Sequence, residues 1–165
     1  MNKWLIIVGA VMLSACSTME SEAPMKATTQ SEQTLAVAKA FLMAAGSGDM
    51  NTLNNLMRDD FVWHNEGDTA LPWIGTWASK EVVLNEFLPK FGAGLKVTSW
   101  STDYEFANGD QAVFIGTMNA IANHSGVDTD TFSWAVRVHV VDDKVKSWNW
   151  FEDSFAVSKA WHATP

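Results

Sequence analysis

The chain has 165 residues, enough for one domain once any targeting segment is set aside. Hydrophobic residues make up 47% of it, with nine Trp and nine Phe, which is ample for a single core. A formal net charge of −8 and only 11 scattered Lys and Arg argue against nucleic-acid partners, which need clustered cations to meet phosphates.

The N-terminus reads as an address. Lys3 precedes an apolar run over 4–13 and then Leu13-Ser14-Ala15-Cys16. A short positive region, a brief apolar run and small residues fit a secretory signal over 1–15, too short to span a bilayer. The Leu-Ser-Ala-Cys ending resembles the lipobox of bacterial lipoproteins, which implies cleavage before Cys16 and acylation of that cysteine. Two or three acyl chains give stable membrane attachment where one would not. Ser17 in place of Asp favours the periplasmic face of the outer membrane within that resemblance. Cys16 is the only cysteine, so no intramolecular disulfide can form. Residues 16–30 are polar and aperiodic and read as a flexible tether, with the folded domain over 31–165.

Helical spacing of Leu35, Ala38, Phe41, Leu42 and Ala45 predicts a helix over 32–45, stopped by Gly46-Ser47-Gly48. Asp49 caps a second helix bearing Met50, Leu53, Leu56 and Met57. Residues 61–65 form a strand, and 66–78, holding Gly67, Pro72 and Gly75, form a loop. Ser79 caps a third helix ending near Pro89. Four long antiparallel strands follow, over 95–106, 111–123, 131–141 and 144–152, with a final short helix over 154–161. Turn signals at Asn108-Gly109-Asp110 and Asp142-Asp143 separate them, the first an Asn-Gly hairpin signature. Helices followed by long antiparallel strands give an α+β class, a curved antiparallel sheet wrapped around N-terminal helices with a cavity between.

The pattern resembles the nuclear-transport-factor-2-like superfamily, and within it SnoaL-like and steroid-isomerase-like proteins. Phe41…Gly48-Asp49, Asp59-Asp60-Phe61-Val62-Trp63, Leu71-Pro72…Gly75-Thr76-Trp77 and Trp148-Asn149-Trp150-Phe151-Glu152-Asp153 carry the likeness. It implies a cone-shaped α+β barrel of the cystatin-like roll type, and many members pair through the outer face of the sheet. On that face it would place Ser133, Ala135, Arg137 and His139 and a possible homodimer contact. Fold alone names no activity, because this one hosts isomerases, cyclases, dehydratases, hydrolases and binders. The positions that carry chemistry in the steroid isomerases hold Phe41, Asn65 and about Val136 here. Phenyl and isopropyl groups cannot donate, and an amide takes up no proton near neutral pH. Steroid-type isomerisation is therefore not expected.

Strand alternation sends Phe61, Trp63 and Asn65 inward. On later strands the same rule expects Val113, Ile115, Thr117 and Asn119, then Trp134, Val136 and Val138, then Trp148, Trp150 and Glu152. The expected pocket is tryptophan-lined with Asn65, Thr117, Asn119 and Glu152 as its polar groups, suiting a small apolar or aromatic molecule. Glu152 is either a buried acid of raised pKa or a hydrated strand-end carboxylate. With it as acid–base, the domain would be a cofactor-independent lyase, isomerase or cyclase. Asp153 is either an acid closing the last strand or the cap of the terminal helix. Trp73 and Trp77 are either a lid or plugs anchoring the long loop. His64, Glu66 and Asp68 are close in sequence, but His64 faces away from Asn65 and has no second His at ligand spacing, so no metal is expected. No phosphate loop, nucleophile elbow or cofactor fingerprint is present, and no cofactor is expected.

Overall fold

The computed structural model describes residues 23–164, with side chains from Gln30. The signal over 1–15, the acylation site Cys16 and the first part of the tether lie outside the described residues. Helix α1 spans Ala23–Ser47, so the helix begins within the stretch read as tether. Its inward stripe is Thr34, Val37, Ala38, Phe41 and Ala44, at the spacing of one helical face. Leu35, Leu42 and Ala45 flank that stripe, only partly buried.

Helix α2 covers Met50–Leu56, and Asp49 caps it by accepting from the Thr52 N–H at 3.0 Å. Strand β1 is Met57–Asn65, and β2, Gly75–Ala78, lies within the stretch read as loop. A continuous helical run follows: α3 (Lys80–Val82), a π-helical segment (Val83–Phe87) and α4 (Leu88–Gly94). The run passes Pro89 instead of stopping there. Proline carries no N–H and its ring crowds the carbonyl four residues back. The wider π turn, in which the Leu88 N–H donates to the Val83 carbonyl, relieves that crowding.

Strands β3 (Leu95–Asn108), β4 (Gln111–Ala122), β5 (Val127–Asp128), β6 (Phe132–Val141) and β7 (Lys144–Glu152) complete the sheet, and α5 (Ser154–Trp161) closes the chain. The order is β2-β1-β7-β6-β4-β3, with β5 also paired to β4. The four long strands are antiparallel neighbours as expected, but β1 joins β7 in parallel, which makes the sheet mixed. It curls strongly into a half-barrel around the helices. The β3–β4 turn is Gly109-Asp110, one residue beyond the Asn-Gly pair. Gly109 has φ +59°, at the first central position where a type II′ turn calls for glycine. Thr34 donates to the Gly109 carbonyl at 2.8 Å and the Gly109 N–H donates to Ser31 at 2.9 Å, pinning the hairpin to α1.

The core is aromatic. Phe41 of α1 packs on Phe61, Trp63 and Trp148, with ring centroids 5.7, 6.1 and 5.0 Å apart. The outer face of the sheet carries a row in register across four strands, Tyr104, Ile115, Ala135 and Phe151, exposed at all but the half-buried Ala135. Arg137 and His139 lie on this outer face too, and His139 meets Asp110 at 3.1 Å.

Candidate functional site

Between α1, α2, α4 and the concave side of the sheet lies a cavity of about 1010 Å³. Its floor is Trp63 and Asn65 of β1, Trp148 and Trp150 of β7, and Met118 of β4. Leu42, Leu53, Phe87 and Phe91 form helical walls. At the open end stand Met43, Met50, Val97 and Trp100, each more than two-fifths exposed. There the Lys39 ammonium of α1 reaches the Glu105 carboxylate of β3 at 2.7 Å.

Two short patterns on neighbouring parallel strands build the polar part of the floor. Trp63 and Asn65 share the inner face of β1, and the Trp63 indole N–H donates to Asn65 Oδ1 at 2.7 Å. Trp150 and Glu152 repeat the arrangement on β7, the Trp150 indole donating to Glu152 Oε2 at 2.7 Å. The register sets Trp63 beside Trp148 and Asn65 beside Trp150. Asn65 is 3% exposed, and its Nδ2 makes one long contact, 3.4 Å, to the Trp73 carbonyl. Trp100, Trp134 and Trp150 form a stack, with centroids 4.1 Å apart for Trp100–Trp134 and 5.1 Å for Trp134–Trp150.

Glu152 is buried at its carboxyl, with Oε1 sealed from solvent and without a protein partner. Burial pushes its pKa up to about 7; the Trp150 hydrogen bond opposes the rise and the nearby Asp153 carboxylate adds to it. Glu152 does not line the cavity. Trp150, whose indole N–H it accepts, does.

Several expected site residues are placed elsewhere. On β4 the inward residues are Ala112, Phe114, Gly116, Met118 and Ala120, the opposite parity to the one expected. Thr117 faces outward and bonds Ser101 at 2.9 Å, and Asn119 bonds Thr98 at 2.8 Å and Asp128 at 2.9 Å. The reversal has a steric cause at Gly116, where β3 and the Trp134 ring come so close that only glycine fits on the inner face, which leaves Val113 and Ile115 outside. Asp153 is a helix cap, its carboxylate accepting from the Phe155 N–H at 3.2 Å. Trp73 is a fully buried plug against Phe91 and Trp161, not a lid. Trp77 lies against Phe87, with Lys90 over its ring at 4.6 Å. Phe41 and Trp134 lie one layer behind the cavity wall, supporting it. His64 points out, bonding Thr76 at 2.7 Å and Glu66 at 2.9 Å.

The lining of β3 escaped the sequence reading. Its inward residues Val97, Trp100, Thr102 and Glu105 do not alternate, because irregularities fall between Val97 and Ser99 and between Thr102 and Tyr104. Each inserts one residue and shifts the parity. Only Trp100 hinted at that face, and β3 also carries Tyr104 and Phe106, which lie exposed.

Solved structures share this architecture. An NTF2-like protein from Burkholderia xenovorans LB400 superposes with a TM-score of 0.72 at 20% identity, covering 80% of this chain and 98% of that one. A SnoaL-like polyketide cyclase, so described, from Jannaschia sp. CCS1 gives 0.67 at 16%, covering 82% and 96%. An LEH-like epoxide hydrolase of M. tuberculosis gives 0.61 at 18%, covering 79% and 90%. No curated protein matches the chain. At these identities the likeness is one of fold. The sequence itself goes further, since residues 38–148 match the SnoaL-like domain, and the chain belongs to that family.

Proposed function

We propose that this domain binds a small apolar or aromatic molecule in the tryptophan-floored cavity. The observation that carries the reading is the cavity itself: about 1010 Å³, walled by aromatic and aliphatic side chains, with one buried amide in its floor. Ligand sites are generally concave, mostly apolar and furnished with few polar groups. Trp63, Trp148 and Trp150 stand in the floor, so occupancy should alter intrinsic fluorescence. Titration with aromatic acids, steroids, terpenes and quinones should give a saturable change in emission for at least one class. Silence from every class would remove the ligand reading.

Membership of a fold that includes a polyketide cyclase and an epoxide hydrolase keeps catalysis in view. A lyase, isomerase or cyclase acting through Glu152 would need Trp150 to move, since its indole occupies Oε2 and the carboxyl does not line the cavity.

The exposed row Tyr104, Ile115 and Phe151 favours a second role for the outer face as a homodimer contact. Sedimentation should then show a dimer that Ile115→Glu converts to monomer; a monomeric wild type would end that reading. The Leu13-Ser14-Ala15-Cys16 motif supports anchoring of the domain in the cell envelope through acylated Cys16. Fatty-acid labelling of the full chain should disappear in Cys16→Ser, and labelling that persists would refute the anchor.

A further inference from the structure

Resting on the ligand reading above, we infer that the cavity selects an apolar molecule bearing a carbonyl or comparable acceptor, recognised by the Asn65 side-chain N–H. The reason lies in which polar atoms of the floor are already engaged. Asn65 Oδ1 takes the Trp63 indole proton at 2.7 Å, which fixes the amide so that its nitrogen is the end left for other partners. The Trp73 carbonyl receives both Asn65 Nδ2, at 3.4 Å, and the Trp77 indole, at 3.1 Å. A carbonyl oxygen has two lone pairs, so that acceptor is filled. Glu152 Oε2 takes the Trp150 indole, and Glu152 is not among the residues that line the cavity.

Tryptophan donors thus engage the acceptors around the floor, while Asn65 keeps a proton to give. Its amide carries two N–H bonds, of which one makes only the long contact to Trp73. Other lining side chains able to accept, the Ser47 and Thr102 hydroxyls and the Glu105 carboxylate, are exposed. A ligand carbonyl reaching the floor gains a hydrogen bond and brings no donor. A hydroxyl in the same place also brings a proton, which has to share an acceptor already engaged by an indole N–H, and a buried donor left poorly paired is costly. Asn65 is in this sense a specificity-determining residue: the floor discriminates by hydrogen-bond sense, and the aromatic walls supply most of the affinity.

The test uses one ring system with three substituents: acetylnaphthalene, the corresponding naphthylethanol, and isopropenylnaphthalene, in which a methylene replaces the carbonyl oxygen. Fluorescence or calorimetric titration of the wild-type domain should rank the ketone tighter than the other two by roughly two- to tenfold. In Asn65→Leu, and in Asn65→Asp, which keeps an acceptor for Trp63 and loses the donor, the ketone's advantage should vanish. Equal binding of all three by the wild type, or tighter binding of the alcohol, would overturn the inference and leave the cavity reading intact. A ketone preference that survives both substitutions would also overturn it. If none of the three binds but another compound does, the same ranking is read on the ketone, alcohol and alkene forms of that compound, and equal binding of those forms overturns the inference. If nothing binds at all, the cavity reading falls, and this inference with it.

Discussion

The domain should lose stability as pH rises from about 4.5 to about 7, by on the order of 3 kcal/mol from Glu152 alone. In the unfolded chain this carboxyl ionises near 4.5; in the folded domain burial holds its proton to about 7. Between those values the native state carries a proton that the unfolded state has released, so raising the pH draws the equilibrium toward unfolding. Above 7 both states are ionised and the cost of the buried charge is present in full. Asp49, Asp60, Asp68 and Asp110 act in the opposite sense and in another window. Hydrogen bonds hold their pKa values below the usual carboxylate range, so their contribution is lost as pH falls through the acid region. Stability should therefore peak around pH 4.5 to 5 and decline on both sides. Urea denaturation midpoints at a series of pH values measure this directly. Glu152→Gln should flatten the decline between 4.5 and 7, and an unchanged slope in the variant would show that the carboxyl is not buried as described. Should a substrate be found, the same variant tests Glu152 as acid–base: turnover should disappear while binding persists, and unchanged turnover would end the catalytic reading.

Gly116→Ala should be the most damaging single methyl group in the sheet. A Cβ built on Gly116 would lie 2.0 Å from the Ser101 carbonyl oxygen and 2.8 Å from the Trp134 ring. The nearer atom is backbone, which cannot swing aside as a side-chain end would. Strand β3 curls over β4 at this residue, and the stacked tryptophan crosses it. A methyl group would force the two strands apart or displace Trp134 from Trp100 and Trp150. The expected loss is about 3 kcal/mol, or on the order of 10 °C in Tm for a domain of this size. Gly46→Ala is the control, since nothing lies within 4 Å of its added Cβ and the position is helical. It should be neutral or stabilising by up to about 1 kcal/mol. A Gly116→Ala protein as stable as wild type would mean that the sheet is not curled as described.

Trp134 also shows why the wall of the cavity was only half legible. Its inward direction follows from alternation with Val136 and Val138, and the structure agrees. What alternation cannot convey is that a ring of that size must lie across a neighbouring strand, whose facing residues must then be small. Gly116 answers to that requirement at the point where the ring crosses. The same limit applies to β3, where two irregularities convert a period of two into an uneven spacing.

Local chemistry by itself left Asp153 open between two roles and stopped the third helix too early. It determined that the helices exist, the caps at Asp49 and Ser79, the four long strands, and the inward faces of β1, β6 and β7. These depend on hydrogen-bond capping and on periodicity, which act over a few residues and are written in the order of the chain. Only the tertiary structure decided the parallel pairing of β1 with β7, the inner face of β4, the path of β3 and the hydrogen bond that Glu152 accepts from Trp150. Each of these depends on which distant side chain fills the space opposite, and a packed interior settles that by volume and by hydrogen-bond partners rather than by sequence spacing.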